Sequence, residues 1–108
     1  MPKKVLGKRR IIIRGGDTGG EKYVLWLFVA GILPNSVRAI KNIKMICEKH
    51  LEGRYELEII DIYQQPDIAL KENILAIPVL IKKVPLPEIR VIGDLSDITK
   101  VLEGLQLS

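Results

Sequence analysis

Sulfur that could do chemistry is nearly absent from this chain. Its 108 residues hold one cysteine, Cys47. A single cysteine excludes an intramolecular disulfide, and the compartment this implies is a reducing cytoplasm. One cysteine beside one histidine, His50, excludes a zinc cage. Aromatic residues make up 5% of the chain, and none falls within its basic N-terminal run, so a stacking platform for nucleic acid is missing. The longest apolar stretch, Val24–Leu33, is shorter than the roughly 20 residues that cross a bilayer. It also stands too far from the start, and lacks the small-residue cleavage site, for a secretory signal.

What is present describes a globular protein. Hydrophobic residues make up 47% and charged residues 28%, the balance of a soluble domain rather than a disordered tail. The length suits one domain that buries about two-thirds of its unfolded surface. The net charge of +4 is unevenly placed. Residues 1–22 carry seven basic and two acidic side chains; residues 23–108 carry ten and eleven. The high pI therefore belongs to the first segment. Residues 1–22 read as a flexible basic arm, a solubilising extension for which nucleic acid is not the expected partner. Within it, Ile11-Ile12-Ile13 offers a run that pairs onto a sheet edge. Gly15, Gly16, Gly19 and Gly20 form a hinge rather than a phosphate loop, since no Gly-Lys-Ser/Thr follows.

From residue 23 the pattern is regular. Tyr23–Ala30 is a continuous apolar run, as in a central strand covered on both faces. Gly31 ends it. Pro34 and the Asn35-Ser36 pair supply helix-start chemistry, a side-chain oxygen for the orphan N–H groups of a first turn. Val37, Ile40, Ile43, Lys44, Cys47 and Leu51 recur at helical spacing, and Gly53 stops the helix. Tyr55–Ile62 predicts a second strand, parallel to the first through a right-handed crossover. A short helix is expected over Asp67–Asn73, strands over Val79–Val84 and Glu88–Ile92, and a last helix over Leu95–Leu105 capped by Ser96. The order βαβαββα is the thioredoxin order, an α/β fold. Pro78 falls where that fold carries a proline that is often cis. A thiol–disulfide enzyme places Cys-x-x-Cys at the first strand-to-helix turn, where the helix N-terminus stabilises a thiolate. Here that turn reads Ile32-Leu33-Pro34-Asn35 and holds no sulfur. The layout of a redox fold without its chemistry points to binding and away from catalysis.

Three segments carry a resemblance: YVLWLFVAGILPNSVRAI, IDIYQQPDIALKENILAIPVLIKK and IRVIGDLSDITKVLEGL. Together and in this order they resemble the KaiB family of clock and stress proteins, over residues 23 to about 107. The resemblance implies a non-enzymatic, cofactor-free, cytoplasmic regulator that binds the hexameric ATPase KaiC. It also implies two folds of one sequence. One is a ground state, a homotetramer or homodimer, with the arrangement βαββααβ. The other is a thioredoxin-like monomer that binds the ATPase. By the same resemblance Tyr23, Asp94 and Gly104 match positions tied to fold choice. Pro34, Asn35 and Arg38 match the turn and first helix, and Pro78 the proline before the third strand of residues 23–108. Glu56 and Glu58 fall on the partner surface. Cyanobacterial members tend to carry lysine near Glu58 and an acidic residue where Gln106 stands, so a non-cyanobacterial homologue with a diverged partner is expected. Two other readings accompany this one: a thioredoxin-like redox or stress enzyme, and a KaiB-like sensor module of a histidine kinase. A kinase of that kind is also the expected competitor for the ATPase.

Several residues have plainer expectations. Cys47 reads as a buried structural thiol and His50 as a surface residue near a helix C-terminus. Trp26 and Phe28 read as core. Lys82 and Lys83, with Arg90 and Arg38, read as a basic edge, either solvated and deterring strand pairing or serving as an oligomer or partner contact.

Overall fold

The computed structural model describes residues 10–14 and 21–107. Eight elements follow one another: β1 (Arg10–Arg14), β2 (Tyr23–Val29), α1 (Pro34–His50), β3 (Tyr55–Asp61), α2 (Pro66–Lys71), β4 (Val79–Val84), β5 (Ile89–Ile92) and α3 (Ile98–Leu105). From Tyr23 onward this is the expected βαβαββα, and the alternative βαββααβ is not the arrangement of this structure. One further strand precedes it, around the Ile11-Ile12-Ile13 run that offered a sheet-edge pairing. β1 lies inside the segment read from sequence as an arm, so the sheet has five strands in the order β1-β3-β2-β4-β5. β2 and β3 are parallel, with Leu25 opposite Leu57 and Leu27 opposite Ile59. β4 runs antiparallel to β2, and β5 antiparallel to β4. β1 runs antiparallel to β3, with Ile12 opposite Glu58.

Strand alternation sorts the apolar residues onto two faces. Tyr23, Leu25, Leu27 and Val29 of β2 join Leu57 and Ile59 of β3 in the larger core, under α1 and α3. Phe28, Ile60, Val79 and Ile81 form the smaller core on the opposite face, with half-buried Trp26, Ile62, Ile68, Ile74 and Ile77 around it. Trp26 and Phe28 are therefore core residues, in edge-to-face contact 6.3 Å apart. α2 covers only part of that second face, because it has six residues.

The helices differ from expectation at their ends. α1 buries Ser36, Ala39, Ile43, Ile46 and Cys47. Val37 and Lys44, assigned to that face from spacing, are exposed. No side chain caps α1. The Ser36 hydroxyl instead accepts the Ala30 N–H at 3.0 Å, so it closes the β2–α1 connection rather than the first helical turn. Pro34 occupies the first turn, where a missing N–H is harmless. α2 stops at Lys71: Asn73 turns left-handed at φ +57°, and Arg90 donates to the Glu72 carbonyl at 2.7 Å. α3 begins at Ile98, and its cap is Asp97, whose side chain accepts from the Lys100 N–H; Ser96 is not the cap. The Ile77–Pro78 peptide is cis, as are Val84–Pro85 and Leu86–Pro87.

Candidate functional site

The fold brings the singled-out residues to three places. The first is the β2–α1 turn. Gly31 adopts φ +56°, and a Cβ there would meet the Tyr63 ring at 3.5 Å. Its N–H donates to Asp61 Oδ1 at 3.3 Å. Ile32 is 91% exposed and Leu33 half-exposed, so the position that carries thiols in an oxidoreductase presents aliphatic side chains to solvent. Pro34 is exposed and Asn35 half-buried on the same turn. The chain's one thiol sits elsewhere. Cys47 is fully buried in the larger core. Burial first, and the neighbouring Glu48 carboxylate second, push it up to about 12. It is a protonated, shielded thiol at neutral pH.

The second place is the seat of α3. Tyr23 Oη donates to the Leu105 carbonyl at 3.3 Å, satisfying one of the helix's terminal acceptors. The Arg54 guanidinium lies over the Tyr23 ring at 5.6 Å. Gly104 faces β5 so closely that a Cβ would come within 2.6 Å of Val91 Cγ2. At the other end of the helix, Asp94 ties the β5–α3 loop to α1. Arg38 Nε donates to its Oδ2 at 2.9 Å, and Asn42 Nδ2 donates to its carbonyl at 2.9 Å. Ser96 N–H donates to Asp94 Oδ1 at 3.0 Å. Hydrogen bonds from Ser96, then from Arg38, hold the Asp94 carboxyl at about 2. Tyr23, Arg38, Asp94 and Gly104, four positions far apart in sequence, thus converge on how one short helix docks.

The sequence reading missed a member of this seat. Lys82 was expected on a basic edge. It is 1% exposed, on the α3 side of β4, and its Nζ donates to Gln106 Oε1 at 2.7 Å. A signal was available: residue 82 shares parity with Leu80 in an apolar strand, and therefore points inward. The other basic residues of that proposed edge separate as well. Lys83 Nζ lies 4.6 Å over the Trp26 ring and bridges Glu72 at 3.2 Å and Glu88 at 3.1 Å. Burial alone would lower the Lys83 pKa, but hydrogen bonds to Glu88 and Glu72 raise it. Arg90 completes that network on the α2 face, while Arg38 lies across the molecule on α1.

The third place is β3. Glu56 and Glu58 alternate with Leu57 and so lie on the α2 side of the sheet. Glu56 is half-buried and Glu58 6% exposed. Glu58 is opposite Trp26 of β2 on one side and Ile12 of β1 on the other. Among the described residues no group of His, Cys, Asp and Glu is arranged to hold a metal. No helix among them is long and apolar enough to cross a membrane.

Comparison with known proteins settles the family. The KaiB domain matches residues 26–107. This chain belongs to the KaiB family. It is 53% identical over 87 residues to the circadian clock oscillator protein KaiB of Synechococcus elongatus, covering 81% of this chain and 85% of that protein. It is 50% identical over 91 residues to the protein of the same name from Gloeothece citriformis, covering 84% and 86%. Among solved structures, the N-terminal domain of Synechococcus elongatus SasA superposes with a TM-score of 0.65 at 21% identity, covering 87% of this chain and 92% of that domain. Thioredoxin from Fasciola hepatica superposes with a TM-score of 0.63 at 17% identity, covering 80% of each. The KaiB chain described here is thus thioredoxin-like in fold, with clock-protein relatives in sequence.

Proposed function

We propose that this KaiB-family chain is a non-enzymatic regulator that binds a KaiC-like hexameric ATPase as a thioredoxin-like monomer, in circadian timing or stress adaptation. One observation carries the reading. A chain about half identical to clock oscillator proteins folds with the thioredoxin layout, yet its strand-to-helix turn holds Ile32 and Leu33, and its one thiol, Cys47, is buried and protonated. A thioredoxin-like redox or stress enzyme needs the thiolate this chain lacks.

The mechanism is conformational selection. The ATPase captures the thioredoxin-like fold from a ground-state homotetramer or homodimer, and apparent affinity falls in proportion to the fraction of competent fold. Tyr23, Asp94 and Gly104 set that fraction because they govern whether α3 docks. Glu56 and Glu58 on the α2 side of β3, and Pro34, Asn35 and Arg38 at the start of α1 on the other side of the sheet, are the residues offered to the partner, and Pro78 shapes the loop before β4. Glu58, 6% exposed in this fold, contributes to the choice of a cognate ATPase once the partner opens that edge. A cytoplasmic histidine kinase with a KaiB-like module competes for the same ATPase. Size-exclusion chromatography with light scattering tests the proposal, on the protein alone and after long incubation with the KaiC-like ATPase of the same organism and ATP. A slowly forming complex is expected, and no complex at any time overturns the reading.

A further inference from the structure

The strand that lies in the basic segment forms one edge of the sheet, held by β3 alone. β1 pairs with β3 over five residues, from Arg10 opposite Ile60 to Arg14 opposite Glu56. It lies outside residues 26–107, the KaiB domain proper. Residues 15–22, four of them glycine, connect it to β2. On its larger-core side Ile13 packs against the hydrophobic cluster; on the other side Ile12 is 46% exposed. Remove β1, and β3 presents a row of unpaired N–H and C=O groups along a strand whose side chains are mostly buried. Such an edge takes up an extended chain by main-chain hydrogen bonding. That edge also belongs to the strand that carries Glu56 and Glu58.

We infer that the outer edge of β3 is a strand-pairing surface for the partner, and that β1 is an intramolecular cover that must leave before the partner pairs. The register describes the segment that replaces it. It is extended and apolar at its centre, where Ile12 stands opposite Glu58, and has a basic residue where Arg14 stands opposite Glu56. The inference rests on the proposed ATPase binding and adds its regulation.

The test compares the full-length chain with two full-length variants against the KaiC-like ATPase and ATP. In Ile13→Pro the substituted residue donates no N–H and loses the aliphatic contact, so β1 is released. In the second variant, about 24 Gly/Ser residues are inserted after Gly20, which makes the connection roughly four times longer and leaves every residue of the fold in place. The effective concentration of β1 at β3 then falls by about eightfold, following the −3/2 power of length. Amide exchange at Leu57–Ile59 reports uncovering, and the rate of complex formation reports access. Both variants are expected to exchange faster at β3 and to associate faster, the lengthened one by up to eightfold. Faster exchange with an unchanged association rate overturns the cover while the ATPase reading stands. No complex with any of the three proteins overturns both. A concentration-dependent dimer of the lengthened variant, without faster association, assigns the edge to a second copy and also overturns the inference.

Discussion

Lys82 Nζ and Gln106 Oε1 meet at 2.7 Å between the middle of β4 and the C-terminal cap of α3. The ammonium is almost wholly buried, so this bond is its link to a helix end that also receives the Tyr23 hydroxyl. A hydrogen bond to a charged group is worth about 1.5–3 kcal/mol, and losing the acceptor leaves the donor desolvated. Gln106→Ala is expected to lower the stability of the thioredoxin-like arrangement by about that amount, read as a shift of the urea midpoint at constant slope. Gln106→Glu, which keeps an acceptor and adds charge, is expected to hold or raise it. Equal midpoints for all three proteins would show that Lys82 does not depend on α3.

Gly104 and Val91 form a second coupling. A methyl group at 104 would approach Val91 Cγ2 to 2.6 Å, and Val91 is β-branched and buried, so it does not swing aside. Alanine gains about 1 kcal/mol of helix propensity over glycine, while overpacking costs about 1–3 kcal/mol. Gly104→Ala is therefore expected to weaken α3 docking by about 1 kcal/mol, and to do so far less in a Val91→Ala background. A double-mutant cycle by chemical denaturation measures the coupling. Additive effects would mean that α3 moves without strain.

Asp94 makes the seat of α3 sensitive to acid. Its carboxyl titrates near 3.8 when unfolded and is held at about 2 in the fold by Ser96 and then Arg38. The folded value is the lower one. Its contribution to stability is therefore complete above about pH 3.8 and is lost as the pH falls toward 2. Asp94→Asn is expected to flatten the dependence of the urea midpoint on pH across that window, with little change in slope above it. Parallel curves for the two proteins would remove Asp94 from the acid response.

Cys47 gives a direct check on the excluded chemistry. With its thiol pushed up to about 12 and shielded by the core, native protein is expected to resist alkylation at pH 8 and to label at once in guanidinium. Catalysis of insulin reduction is expected to match the background. Rapid labelling of folded protein would reopen a role for this thiol.

How much of this was legible beforehand depended on distance along the chain. Tyr23–Val29 was readable because an uninterrupted apolar run fits only a strand covered on both faces. Tyr55–Asp61 was readable because its alternation announces one polar and one apolar side. The empty turn at Ile32-Leu33 was a matter of residue identity alone. Helix ends were less readable. Ser36 and Ser96 each looked like a cap, but a hydroxyl bonds whichever donor the fold places beside it: Ser36 took the Ala30 N–H across a turn, and Asp97 stood one residue closer to α3.

Composition and local pattern thus determined an α/β fold of thioredoxin order from Tyr23, without an intramolecular disulfide or a redox turn. They did so because burial and hydrogen-bonding capacity are properties of residues and near neighbours. Tertiary structure alone decided that β3 is the strand the Ile11-Ile12-Ile13 run pairs with, that Gln106 is the partner Lys82 finds on the inner side of β4, and that Tyr23, Arg38, Asp94 and Gly104 meet at one helix. Those pairings span from 13 residues of chain, Gly104 to Val91, to 82, Tyr23 to Leu105, and the partner of each group is chosen by which strands and helices pack together.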